Sequence, residues 1–164
     1  MDLPSTLIIG YGNPDRQDDG IAWHILGQLA AYFKIESTGP DFYDFLPQGN
    51  NPDLLFTLQL TPEIAETIAR YDRVFFIDAH TGDIKEDICV QELSAEFQNS
   101  PLTHHMTPQT LMSLVETLYQ RKPGAILISI RGYEFGFARS LSQKTMVLSQ
   151  SAVQRIIAWF QTHG

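Results

Sequence analysis

The sequence predicts an α/β domain in which helices cover both faces of a mostly parallel sheet. Short apolar segments typical of buried strands alternate with longer segments whose apolar residues recur at helical spacing. This alternation favours parallel strands joined by helices. The 164 residues show no break in composition, so we expect a single domain over 1–164.

The predicted strands, about five or six in number, are apolar runs bounded by glycine or polar residues. "STLIIG" stops at Gly10, and "VFFID" ends in a carboxylate at Asp78. A half-exposed strand is expected where aromatic and acidic residues alternate in "DFYDF". The strand segments are 5–10, 41–45, 73–80, 87–93 and 124–132.

Three or four helices are predicted from the spacing of apolar residues and from start signals. The first, 20–34, carries Ile21, Ala22, Ile25 and further apolar residues along one side. Thr61 and Thr107 each precede a proline, an arrangement typical of a helix N-cap and first turn. The predicted helices are 20–34, 61–71, 107–121 and 142–161.

The charge and the apolar runs exclude several classes of partner. A net charge of −8 and a pI of about 4.9 would repel nucleic acid and an anionic membrane face. No apolar run approaches the ~18 residues that span a bilayer, and the acidic N-terminus is unlike a signal peptide. The single cysteine, Cys89, suits a reducing compartment and a buried apolar position in a strand. We therefore expect a cytoplasmic protein.

The turn after the first strand, "GYGNPDRQDDG", carries three acids where a phosphate-binding turn would carry none. The dinucleotide fingerprint G-x-G-x-x-G would need glycine at position 15, which is Asp15. Asp18 and Asp19 stand at the start of the next helix and would repel a pyrophosphate. One of the two is expected to cap helix 20–34. A cap explains only one acid, so we assign a function to Asp19.

Two further segments offer chemically useful side chains. Asp78 directly follows an apolar strand, where an unpaired carboxylate would be costly to bury; its structural alternative is a turn residue. His80 is expected to be a solvated loop histidine. In "LTHHMTPQ", at most one of His104 and His105 is expected to join a site, and both could equally be surface histidines.

Two carboxylates and one imidazole would suit a borderline divalent metal, nickel or zinc among them. Three protein ligands would leave positions open for another molecule. The chain lacks the G-x-S-x-G and H-E-x-x-H signatures, and Cys89 lies in a strand pattern. Serine, zinc and cysteine protease chemistry of those kinds is therefore disfavoured.

Three elements of the sequence resemble the nickel–iron hydrogenase maturation endopeptidases. They are "GYGNPDRQDDGIAW", "DRVFFIDA" and "HHMTPQTLM", in that order and spacing, and the likeness covers about 5–155. The resemblance implies a three-layer α/β/α domain around a twisted, mostly parallel sheet. A small departure is Ala22 and Trp23 near the position where the family often has glycine.

The resemblance also implies a function. Members of the family remove a C-terminal peptide from the nickel-loaded precursor of the hydrogenase large subunit. The residues that match those thought to approach the metal are Asp19, Asp78 and His104. His104 is chosen because Met106 follows it by two residues, as in the family's H-x-[LM] motif, and His105 is the alternative. The nickel would be supplied by the precursor rather than held tightly by the free protein. A non-catalytic, metal-checking chaperone of the same fold is the alternative function.

Overall fold

Five strands form a single mixed sheet, as a computed structural model shows for residues 3–36, 45–94 and 106–163. The strands lie in the order β2-β1-β3-β5-β4, and only β4 runs antiparallel, against β5. Their bounds are β1 Thr6–Tyr11, β2 Asp53–Thr57, β3 Arg73–His80, β4 Ile88–Glu92 and β5 Gly124–Arg131. The prediction of a mostly parallel sheet is confirmed.

In the part of the chain that the structure describes, two helices cover each face of the sheet, so the prediction of three layers is also confirmed. The helices are α1 Ile21–Phe33, α2 Ile64–Ile68, α3 Pro108–Tyr119 and α4 Gln143–His163. Alternate residues of each strand point to opposite faces. In β3, Phe75 and Ile77 pack with α1 and α4, whereas Val74 and Phe76 pack with α2 and α3. The domain therefore has two apolar cores separated by the sheet.

The helix boundaries differ from the sequence prediction at one Thr-Pro signal. Thr107 is the N-cap of α3, and its side chain accepts a hydrogen bond from the amide of Thr110 at 3.1 Å. Thr61 is not a cap: α2 begins at Ile64 after Glu63. Here the amide of Ile64 bonds back three residues to the carbonyl of Thr61, which makes a tight turn before the helix.

Three other expectations have different outcomes. The predicted strand 41–45 lies mostly outside the described residues, and Phe45 is not in a strand. Cys89 lies in β4 as predicted but is only half-buried. In the described part of the chain, no helix has the length and apolar character needed to cross a bilayer.

Candidate metal-approach site

The sheet topology places a crevice between the carboxyl ends of β1 and β3. The chain leaves β1 for β2 on one side and returns at β3 on the other, so the strand order reverses between these two neighbours. In open α/β sheets, ligands bind at such a switch point. Tyr11 is the last residue of β1, and Asp78 lies two residues before the end of β3.

A cavity of about 700 Å³ opens at this edge, and both predicted acids, Asp19 and Asp78, line it. Tyr11 and Gly12 also line it. The remaining lining comes from the loop after β2, residues 58–62, and from residues 106–108 at the start of α3. Chain segments far apart in sequence therefore meet here. A smaller cavity of about 300 Å³ lies where β3 and β5 begin, and no predicted site residue lines it.

Asp78 is held by two hydrogen bonds in a partly buried environment. Its Oδ1 accepts from the amide of Ala79 at 2.7 Å, and its Oδ2 accepts from the hydroxyl of Tyr11 at 3.0 Å. Burial raises the pKa of Asp78 to about 6, with a further contribution from the charge of Asp19, although the two hydrogen bonds oppose the rise. The pKa of Tyr11 is raised in turn by burial and by Asp78.

Asp19 lies in a short 3₁₀ helix, Gln17–Gly20, that ends the turn after β1. Its Oδ2 accepts a hydrogen bond from the amide of Asn13 at 2.8 Å, which fixes the carboxylate against the start of the turn. Gly12 has a φ of +136°, and a Cβ there would overlap the carbonyl oxygen of Asp19. The turn thus needs glycine at position 12 to bring Asp19 to the cavity.

Asp18 has a structural role that differs from the expected cap of helix 20–34. The N-cap of α1 is Gly20, and no side chain caps that end. Asp18 is fully buried and accepts hydrogen bonds from the loop after β5 and from the start of α4. The donors are the amides of Tyr133, Glu134 and Ser142 and the hydroxyls of Ser142 and Thr145, at 2.6–2.9 Å.

The network around Asp18 explains how a buried carboxylate is stable. Burial alone would raise the pKa of Asp18, but the hydrogen bonds from Ser142 and from the backbone amides outweigh it and hold the pKa below its ordinary value. Asp18 therefore connects the turn of Asp19 to the first turn of α4. This role could not be predicted from local sequence patterns, because Ser142 lies 124 residues from Asp18 in the chain.

The predicted histidines have two outcomes. His104 and His105 lie outside the described residues. Met106, directly after them, lines the cavity. The expectation that His80 is solvated is wrong: it is 6% exposed at the end of β3. Its Nδ1 accepts from the amide of Gly82 at 3.1 Å, and its Nε2 donates to the carbonyl of Glu86 at 2.9 Å, so both ring nitrogens are held by the backbone of the following loop.

The donor set suits approach to a cation rather than a closed metal site. Within 3–36, 45–94 and 106–163, no group of three or more histidine, cysteine or acidic side chains is placed to hold a metal ion. Asp19 and Asp78 share the cavity but supply oxygen only. A cation that enters with its own ligands would relieve the repulsion between the two carboxylates.

Sequence reasoning missed Tyr11 as part of the site. The side chains of Leu7 and Ile9 pack on the α2 and α3 side of the sheet, and Tyr11 follows them with the same alternation. Phe76 and Asp78 continue the same side of the neighbouring strand. The alternation of side chains along β1 and β3 therefore could have predicted that Tyr11 and Asp78 lie on the same side of the sheet.

Together, the fold and the cavity define a three-layer α/β/α domain with an acidic site at its switch point. No protein-family model matches the sequence, and no curated protein matches it. Solved structures do match its fold. The hydrogenase maturating endopeptidase HybD from Escherichia coli shares 15% identity, with 98% of this chain and 94% of that chain covered and a TM-score of 0.67.

Two proteins of Thermococcus kodakarensis give the same result. The [NiFe] hydrogenase maturation protease HybD is 17% identical, with 94% of this chain and 98% of that chain covered and a TM-score of 0.64. The maturation protease HycI is 14% identical, with coverages of 93% and 90% and a TM-score of 0.64. The chain thus has the fold of the hydrogenase maturation proteases, and the resemblance seen in the sequence is confirmed at the level of the fold.

Proposed function

We propose that this protein is an endopeptidase that removes a C-terminal peptide from the nickel-loaded precursor of a nickel–iron hydrogenase large subunit. The observation that carries the proposal is that Asp19 and Asp78, remote in sequence, line one cavity at the switch point of a fold shared with hydrogenase maturation proteases. Two of the three sequence elements that resemble that family supply Asp19 and Asp78, and the third supplies His104.

The nickel ion is part of the substrate in this proposal. Asp19, Asp78 and His104 approach the ion while the precursor's own ligands hold it, so an open site with few ligands is sufficient. A loaded precursor then gains contacts that an empty precursor lacks. Selectivity for loaded precursor is the difference between the two binding free energies.

Hydrolysis of the peptide bond adds a hydroxide equivalent to the carbonyl carbon and a proton to the leaving amine. Asp78 has a pKa of about 6, so it is ionised at neutral pH. Because this pKa lies near neutral pH, the carboxylate is suited to accept a proton from water as a general base. Tyr11 holds one of its oxygens, which leaves the carboxylate fixed toward the cavity. The substrate's nickel would supply Lewis-acid polarisation next to this base.

A cleavage assay tests the proposal. Nickel-loaded and empty precursors are incubated with the protein, and trimming of the C-terminus is followed by intact mass. Asp19→Asn, Asp78→Asn and His104→Gln should fold and fail to cleave. Glu66→Gln, a change of the same type at an exposed carboxylate on α2, should cleave normally. Normal cleavage by Asp19→Asn and Asp78→Asn would refute the assignment of the site.

The same assay addresses two remaining alternatives. Comparison of His104→Gln with His105→Gln identifies which of the adjacent histidines is required. Tight binding of loaded precursor without any trimming would favour the metal-checking chaperone over the protease. The proposal also places the reaction in the cytoplasm, where a precursor would receive its metal before assembly.

A further inference from the structure

One aromatic side chain stands almost fully in solvent on a loop that is hydrogen-bonded to the turn of Asp19. Phe137 is 93% exposed, more than any other large hydrophobic residue in the described part of the chain. It lies between β5 and α4. Single exposed apolar residues are ordinary on protein surfaces, so exposure alone indicates nothing. The way in which Phe137 is held is more informative.

The backbone on either side of Phe137 is tied to the turn that carries Asp19. Gln17 makes two of these connections: its amide donates to the carbonyl of Ala138 at 2.8 Å, and its Oε1 accepts from the amide of Gly136 at 2.7 Å. The amide of Asp18 donates to the carbonyl of Glu134 at 3.0 Å. Phe137 therefore projects from a backbone that is fixed relative to the cavity.

A cation accompanies the ring. The guanidinium of Arg16 lies 5.6 Å from the centre of the Phe137 ring and donates a hydrogen bond to the carbonyl of Phe135 at 3.3 Å. The carbonyl of Arg16 accepts from the amide of Asp19 at 3.2 Å, so the same residue also braces the site. Arginine is enriched among the residues that dominate protein–protein affinity, and aromatic residues, phenylalanine among them, are enriched at protein–protein interfaces.

We propose that Phe137 and Arg16 form a docking contact for the folded body of the precursor, next to its metal. The inference rests on the proposed function. A protein that delivers its own bound metal to the cavity must also cover the surface around the turn of Asp19, and Arg16 belongs to that turn with its guanidinium against the Phe137 ring. The complementary surface is an apolar pocket with a carboxylate at its edge, which would receive the ring and pair with the guanidinium.

Binding and cleavage of nickel-loaded precursor, measured separately, test this contact. Phe137→Ala should weaken binding and raise KM by about tenfold or more, with kcat unchanged, because the ring contacts the precursor but not the reacting atoms. Phe137→Tyr, which keeps the ring, should restore both values. Arg16→Gln should give a smaller rise that disappears at high salt.

Leu118→Ala is the matched control, since Leu118 is 60% exposed on α3 and lies outside the cavity lining. It should leave binding and KM unchanged. The thermal midpoint of Phe137→Ala should equal that of the wild type, because the exposed ring buries almost no area within the domain. A changed midpoint with equal KM would mean that the ring has only a structural role.

The outcomes separate this inference from the proposed function. If the wild type cleaves and Phe137→Ala has the same KM and affinity, the docking contact is refuted and the protease stands. If the wild type binds loaded precursor without cleaving it, the proposed protease activity is refuted. The docking contact is then decided by whether Phe137→Ala binds the precursor more weakly than the wild type. If the wild type sediments as a dimer that Phe137→Ala dissociates, the ring belongs to an interface between copies, which would overturn the inference.

Discussion

Replacement of Asp78 by asparagine should stabilise the fold while it abolishes cleavage. The carboxyl has a pKa of about 6 in the folded protein and an ordinary value of 3.8, so the folded state binds the proton more tightly than the unfolded state. Stability therefore falls as pH rises from about 3.8 to about 6, and the full penalty is present above that range. Asparagine carries no charge at any of these pH values.

The size of the effect follows from the two pKa values. Each pH unit between them corresponds to about 1.4 kcal/mol, so an ionised Asp78 costs about 3 kcal/mol at pH 8. At pH 5 the cost is about half as large, because the folded protein is then mostly protonated at this position. The amide oxygen of asparagine can still accept from Ala79, and its NH₂ group can donate to the hydroxyl of Tyr11.

Urea unfolding at pH 8 and pH 5 measures the difference. Asp78→Asn should raise the free energy of unfolding at both pH values, and the gain should be clearly larger at pH 8. Asp19→Asn, which replaces the other carboxylate of the cavity, is the matched comparison and should show no such large gain. A loss of stability at pH 8 in Asp78→Asn would contradict the assignment of a buried, unfavourable charge at this position.

Three further predictions concern residues that hold the site. Tyr11→Phe removes a donor to Asp78, so the pKa of Asp78 should rise above about 6 and the acidic limit of kcat/KM should move to higher pH; an unchanged limit would contradict this. Asp18→Ala leaves three amides without their partner and should cost about 3 kcal/mol or more in urea unfolding, whereas a near-neutral effect would refute the role of its network. Gly12→Ala should destabilise the fold by more than about 1 kcal/mol and reduce cleavage, whereas Gly27→Ala in α1, with open space around the position, should stabilise it by about 0.5–1 kcal/mol; similar effects of the two would contradict the geometric argument.

The main elements of the fold could be predicted because their local signals agree with their tertiary environment. Strand β3 is apolar on both sides because helices cover both faces, and its predicted bounds 73–80 match the structure. Thr107 caps α3 because its hydroxyl oxygen accepts a hydrogen bond from the backbone amide of Thr110, which has no partner within the first turn of the helix. Thr61 carries the same signal, but the chain closes a tight turn there instead, and sequence alone does not distinguish the two.

The candidate site could be predicted only in part because its contacts join distant segments. The sequence indicated that one of Asp18 and Asp19 is structural and the other functional. It assigned the structural role to the cap of the neighbouring helix, since only local contacts can be inferred from spacing. The structure gives that role to Asp18 through Ser142, and Tyr11 is joined to Asp78 by a contact across 67 residues.

The different environments of three neighbouring acids account for an acidic turn in a position where many α/β proteins bind phosphate. Asp15 pairs with Arg139 at 2.7 Å, the charge of Asp18 is stabilised by five hydrogen-bond donors, and Asp19 lines the cavity with Asp78. The turn therefore presents one carboxylate to the cavity rather than three. A phosphate would meet two negative charges there, whereas a cation brought by another protein would meet two oxygen ligands already fixed in place by Asn13, Tyr11 and Ala79.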